Sequence, residues 1–341
     1  MKKNTLLILI ILLPITIFAQ EPDSTTNERL KKLEKIQSML PKISGLINFR
    51  YQYGDDINSF DVRRARIDFR GDLSPVFDYR LQFEFASDAF LLDAYVRAKI
   101  KPWLHIQVGE FKIPFTMENP YSPQNLEFID NSMSTIKLCS YQDISGMKSN
   151  GRDVGIMVSG SLFKADGFYM LQYDLGVFNG SGINIRDKDK AKDVVGRISF
   201  NPIKHLTISA SGYLGKFEVD TDDAENVLSR RDRWSLGIRY DDKKVVARAE
   251  YVGGNTGGVK SDGFYVLAGY TFFGRLMPAI RYDFFRNDIN SPETYQTDYT
   301  VGLNYWATKF LRCQVNYIYK THSHNADSNS NLVSAMITLS F

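Results

Sequence analysis

Cysteine is nearly absent. Cys139 and Cys313 are the only two in 341 residues and stand far apart, so no disulfide scaffold is written into the chain and two unpaired thiols are expected. Long apolar runs are missing too. Beyond residue 19 none approaches the ~20 residues that a spanning helix needs, and a chain without such helices can cross a bilayer only as a closed barrel that satisfies every backbone group. No phosphate-binding glycine loop, dinucleotide fingerprint or HExxH helix appears, and no cofactor is expected. The net charge of +3 is small, so its placement matters more than its total, and no nucleic-acid partner is expected.

What is present begins with a leader. Met1-Lys2-Lys3 gives a positive start, Leu6 to Phe18 an apolar run broken by Pro14 and Thr16, and Ala19 a small residue before Gln20. This reads as a secretory signal peptide over 1–19; its run is too short for an anchor, and no cysteine follows Ala19 for lipid attachment. Over 20–41 the chain is polar, then places Leu30, Leu33, Ile36 and Leu40 at helical spacing before Pro41. That predicts a periplasmic linker with a short amphipathic helix. About two heptads fall short of a sustained coiled coil.

From residue 42 to 341 the period changes to two. In Phe77-Asp-Tyr-Arg-Leu-Gln-Phe-Glu-Phe85 the aromatic and aliphatic residues face one side and Asp78, Arg80, Gln82 and Glu84 the other. Aromatics make up 13% of a chain only 43% hydrophobic, which suits strands that are apolar on one face. Sixteen such stretches fit between 43 and 341, each near the ~10 residues of a tilted membrane strand, among them 61–71, 76–86, 244–252, 263–273 and 332–341. Short joins, several marked by Ser74-Pro75, Lys101-Pro102 or Asn201-Pro202, alternate with longer polar segments such as 179–192, 217–231 and 253–262. That alternation matches short periplasmic turns and longer outer loops, except at 87–91, where an outer loop would be very short. The last stretch alternates up to Phe341, and ending on an aromatic resembles the C-terminal strand of bacterial outer-membrane barrels. The fold class predicted is all-β, a transmembrane antiparallel β-barrel of about 16 strands in the bacterial outer membrane, in contact with its lipid.

The longest break in the pattern is the loop 112–152, which Pro114, Pro120 and Pro123 exclude from a central strand. A loop of that length is usually functional or disordered. In a sixteen-stranded barrel it is the natural constriction, while an ordinary surface loop stays open as the alternative. Taking the charged parity of each strand as lumen-facing, because charge at the lipid midplane costs ~2–4 kcal/mol, places Arg50, Arg64, Arg66, Arg70, Arg80, Arg97, Lys99, Arg197, Arg239, Arg248, Arg281 and Arg312 inward. Against them stand Asp68, Glu84, Asp93, Asp153, Asp174, Glu250 and Asp283. Basic rings favour anions, and arginine offers a planar fork for phosphate and carboxylate. The pore-lining candidates are therefore Arg50, Arg64, Arg66, Arg70, Arg97, Lys99, Arg239 and Arg281, with Lys112 at the loop entrance. For any single arginine, a pair with a wall carboxylate is the competing reading.

Three segments carry a resemblance: Arg63-Arg64-Ala65-Arg66-Ile67-Asp68-Phe69-Arg70-Gly71, Leu92-Asp93-Ala94-Tyr95-Val96, and Val108-Gly109-Glu110-Phe111-Lys112-Ile113-Pro114-Phe115, continued by Glu118 and the stretch Ser122 to Phe128. They resemble the phosphate-selective porin O and P family, densely over about 43–130 and by pattern afterwards. The resemblance implies a sixteen-stranded barrel, commonly trimeric, with the loop after the fifth strand folded into the pore. The chain departs from the family pattern at Thr116, where glycine is usual, and at Asp130-Asn131, where Glu-Arg is expected.

The function this implies is diffusion of small hydrophilic solutes with a preference for anions, phosphate or polyphosphate, through a homotrimeric porin. A general or carbohydrate porin is the alternative, with Trp306 and Phe285 as lumenal aromatics. A non-channel barrel serving as adhesin, assembly component or hydrolase is the other. His322-Ser323-His324-Asn325 with Asp327 and Ser328 holds hydrolase residue types, but crowded into one outer loop where nothing aligns them. As a metal site it is a weak signal. Tyr51, Tyr53, Tyr240, Tyr251, Tyr270, Tyr282, Tyr305, Tyr317 and Tyr319 fall near strand ends on the apolar parity and predict interface girdles.

Overall fold

A strand whose side chains alternate in polarity can satisfy lipid on one face and water on the other, provided its edges are closed. The computed structural model, which describes residues 28–29, 40–88, 90–187, 190–219, 227–291, 293–323 and 329–341, shows that closure. The leader and most of the 20–41 linker lie outside the described residues; Glu28 and Arg29 are helical. Sixteen strands follow: β1 (Lys42–Gly54), β2 (Ile57–Asp72), β3 (Phe77–Glu84), β4 (Leu91–Lys101), β5 (Leu104–Lys112), β6 (Arg152–Ala165), β7 (Phe168–Phe178), β8 (Asp193–Ile203), β9 (Leu206–Val219), β10 (Val227–Asp241), β11 (Val245–Thr256), β12 (Val259–Tyr270), β13 (Leu276–Arg286), β14 (Tyr295–Trp306), β15 (Leu311–His322) and β16 (Ser330–Ser340). Each pairs antiparallel with its neighbours, and β16 returns to β1 with Phe49 opposite Ile337. Gly45 and Phe341 exchange backbone hydrogen bonds of 2.8 and 3.1 Å, so the terminal aromatic sits on the closing seam.

The burial pattern inverts that of a water-soluble protein. Phe49, Val96, Ile156, Leu175, Leu236, Val301 and Ile337 are exposed on the outer surface, while Asn48, Asp68, Glu84, Arg248, Asn304 and Gln314 are buried inside. Tyr53, Tyr251, Tyr270, Tyr305 and Tyr317 are exposed on the outer face as well, where a phenol bridges hydrocarbon and water.

Strand ends differ from the sequence expectation. The segment 253–262, read as an outer loop, is strand on both sides of a two-residue turn, Gly257-Gly258, with both φ angles positive, the conformation that favours Gly-Gly in tight hairpins. β1 and β2 likewise meet across Asp55-Asp56 alone. Apolar alternation ends where the bilayer ends, but the hydrogen-bond ladder needs no apolar side chain and continues into the polar residues beyond it.

Candidate permeation pathway

The loop between β5 and β6 folds into the barrel. Phe115, Met133, Leu138 and Cys139 from the loop form one buried cluster with Phe178, Tyr213, Val252 and Phe285 from the wall, and Phe128 joins a second with Tyr265 and Leu267. A short helix, α1 (Met133–Cys139), is capped by the Ser132 hydroxyl accepting from Thr135 N and packs on β11, β12 and β13. Cys139 and Cys313 are both free.

Polar side chains of the wall satisfy the loop backbone, as a chain segment in a tight lumen requires. Met117 N donates to Glu250 Oε1 at 2.7 Å, Ile129 N to Asn316 Oδ1 at 2.9 Å and Met133 N to Asp283 Oδ2 at 2.8 Å. Arg312 Nη2 donates to Leu126 O at 2.7 Å and Arg281 Nη1 to Asp130 O at 2.9 Å. Arg248 reaches Glu127 at 2.8 Å and Glu118 at 3.3 Å, and Arg233 holds Asp143. The wall also yields space. A Cβ on Gly237 would lie 2.4 Å from Met117 Sδ, and one on Gly302 2.9 Å from the Phe128 ring.

Thr116, where the family pattern has glycine, adopts φ 61°, a left-handed conformation that disfavours a β-branched residue. Its surroundings hold it: Thr116 N donates to Ser211 Oγ at 3.1 Å, and its own Oγ1 accepts from Asn119 N at 3.1 Å. At the loop base Lys112 Nζ donates to Asn119 O and Tyr121 O, each at 2.6 Å.

The loop lies against β9–β15 and leaves space along β1–β3. Two cavities follow that side, and a third, further in, lies between the loop and β10–β15. An outer one of about 460 Å³ is lined by Arg63, Arg64, Arg66, Glu84, Tyr141 and Lys148 among others. A middle one of about 80 Å³ shares Arg66 with it and adds Arg70, Arg80, Ser122 and Gln124. An inner one of about 450 Å³ shares Gln124 with the middle one and includes Arg239, Lys243, Trp306 and Arg312.

Most of the basic residues anticipated for the lumen have partners. Arg50 forms a two-pronged pair with Asp61 at 2.9 and 2.6 Å. Arg66 pairs with Glu84 at 2.7 Å, Arg70 with Asp68 at 2.7 Å, Arg97 with Asp78 at 2.8 Å and Lys99 with Asp72 at 2.8 Å. Arg239 pairs with Asp241 and lies over the Tyr121 ring, 4.7 Å from its centroid. Arg281 covers the Phe128 ring at 4.8 Å. Arg64 is different. Among the described residues it has no carboxylate partner, and its hydrogen bond, to Asn48 Oδ1, is long at 3.5 Å.

Arg63, absent from the anticipated set, also reaches the passage. The register between β1 and β2 slips at Asn48/Phe49, so that Asn48 opposes Arg64 while Phe49 opposes Val62. Arg63 is the extra residue of a β-bulge, which re-aims a side chain, and it pairs with Asp130 of the loop. Burial works to raise the Asp130 carboxyl, but the charges of Arg63 and Arg64 outweigh it and hold the group below the usual aspartate range. A trace was there in sequence: Phe60 and Val62 hold the even parity, Ile67 and Phe69 the odd.

Of the lumenal aromatics, Phe285 is buried in the loop-facing cluster, and Trp306 lines the inner cavity beneath Arg312, 4.8 Å from its centroid. The residues 324–328 of the His/Ser/Asp cluster lie outside the described residues.

The sequence profile of the family described as phosphate-selective porin O and P matches residues 45–239 and 221–341. No curated protein matches the chain. Among solved structures, it is similar to an anion-selective porin from Comamonas acidovorans, at 13% identity and a TM-score of 0.66 over 88% of this chain and 99% of that one. It is also similar to OmpT of Vibrio cholerae in its trimer form, at 11% identity and a TM-score of 0.64 over 88% and 99%. OmpF of Salmonella typhi, in complex with daunomycin, is similar at 13% identity and 0.64 over 89% and 99%. At such identities the likeness concerns the fold.

Proposed function

Because the chain belongs to the phosphate-selective porin O and P family and is an outer-membrane porin, a channel and not an enzyme, we propose that it prefers anions, phosphate or polyphosphate among them, and that Arg64 sets this preference. The observation that carries the reading is the guanidinium of Arg64, without a carboxylate partner among the described residues, in the lining of the outer cavity. A paired arginine presents little net field to a passing ion, whereas an unpaired one in a narrow, partly desolvated passage attracts anions and repels cations. Arg63 and Arg66 stand beside it, each neutralised by one carboxylate, and the exposed Lys148 lines the same cavity. The remaining members of the anticipated set, Arg50, Arg70, Arg97, Lys99, Arg239 and Arg281, act chiefly through their pairs as wall structure, and Lys112 ties the loop base.

A homotrimer, the state in which OmpT of Vibrio cholerae is described, and removal of residues 1–19 on export belong to the same reading. Planar-bilayer recording in a salt gradient tests the selectivity. Wild-type protein should give an anion-selective reversal potential, and Arg64→Glu should move it toward or past zero without loss of the folded barrel. A cation-selective wild type would sink the proposal. An Arg64→Glu channel indistinguishable from wild type would remove Arg64 from it.

A further inference from the structure

The outer cavity is not uniformly polar. Alongside Arg64 and Lys148 its lining includes Tyr141, Ile183 and Ile185, of which Ile183 is buried and Ile185 is 41% exposed. The apolar side is held in place. Asn184, between the two isoleucines, sits at φ 57°, a left-handed conformation that asparagine tolerates. Its N donates to Glu110 Oε1 and its Nδ2 to Leu91 O, both at 2.9 Å. Two anchors on two strands thus fix a turn that presents Ile185 to a charged lumen, with Ile183 buried behind it. A surface that only conducted inorganic anions would gain nothing from exposed aliphatic carbon there, since such ions keep their water.

We propose that this vestibule selects organic anions with an apolar arm: carboxylates, sulfonates or phosphate monoesters bearing an alkyl or aryl group of a few carbons. The anionic head meets Arg64, and the arm lies on Tyr141 and Ile185. A cavity of about 460 Å³ is of the size that takes small organic ligands. Asp88, also in the lining, is a carboxylate, and it disfavours a second negative charge on the arm. The inference rests on the anion preference proposed above and names the kind of anion.

The test compares acetate with hexanoate, equal in charge and head group, as blockers of chloride current through the full-length channel in planar bilayers. Burying each added methylene is worth about fourfold in affinity, so hexanoate should block at a concentration at least tenfold below acetate. In Ile185→Ser that ratio should shrink several-fold, and in Arg64→Gln both acids should weaken together. Equal block by acetate and hexanoate in an anion-selective channel overturns this inference and leaves the anion preference standing. A cation-selective wild type instead overturns the reading beneath it. An undiminished ratio in Ile185→Ser overturns the assignment to this vestibule.

Discussion

On the β9–β15 side of the lumen, Arg233, Arg248, Arg281 and Arg312 all reach the inserted loop, through its carboxylates or its carbonyl oxygens. On the β1–β4 side, Arg50, Arg66, Arg70 and Arg97 find carboxylates within the wall itself, and among the described residues Arg64 finds none. The residue types are the same, and the difference lies in what stands within reach. Where the loop presses on the wall, arginine becomes a tether. Where the passage runs, it becomes wall structure or a free charge, apart from Arg63, which meets Asp130 of the loop. A count of lumenal arginines therefore overstates the field that a solute meets.

The comparison breaks most severely at a tether. Arg248→Ala would leave Glu118 and Glu127, both nearly fully buried, without their counter-charge, a change that costs about 3–5 kcal/mol. We expect a large fall in the urea midpoint, followed by tryptophan fluorescence, together with noisy channels of raised conductance as the loop loosens. An unchanged midpoint would show that the loop does not depend on this pair. Gly302→Leu should follow, at about 1–3 kcal/mol for overpacking. Its side chain would meet the Phe128 ring and Asn316 Nδ2 and push the loop toward β1–β4. Single-channel conductance should drop, and conductance equal to wild type would mean that the loop yields without narrowing the passage.

The fold was legible because lipid and water impose a period of two that recurs sixteen times. Prolines and length marked the long loop, but not that it folds inward, which only the family resemblance implied. Pairing was not legible. Whether Arg97 meets Asp78 or Asp72 depends on register between β3 and β4, and register is a property of two strands, not of one. Arg63 escaped for a related reason: a bulge adds one residue and turns an outward side chain inward. Ile183 and Ile185, in a loop without periodicity, gave no signal that they would line a cavity.

A gentler change sharpens the comparison in the other direction. Asp130→Asn leaves the loop backbone contact with Arg281 in place and removes the carboxylate that neutralises Arg63. Two free guanidiniums would then face the outer cavity. The anion-to-cation permeability ratio should rise by a few-fold, opposite in sign to the effect of Arg64→Glu, and a fall in that ratio would contradict the placement of Arg63 beside the passage.

The smallest effect is expected for Arg97→Gln, although Arg97 lies in the strongly matched part of the sequence and looks as good a selectivity candidate as Arg64. Arg97 is 35% exposed in its pair with Asp78, and an exposed pair is worth less than about 1 kcal/mol. Lys99 Nζ already stands 3.2 Å from the same Asp78 carboxylate and stays as its partner, so the single charge removed leaves no carboxylate there without a cation in reach. The urea midpoint and the reversal potential should both stay close to wild type. A reversal potential displaced as far as in Arg64→Glu would mean that paired arginines do set the field, and that the division between the two sides of the lumen is one of packing alone.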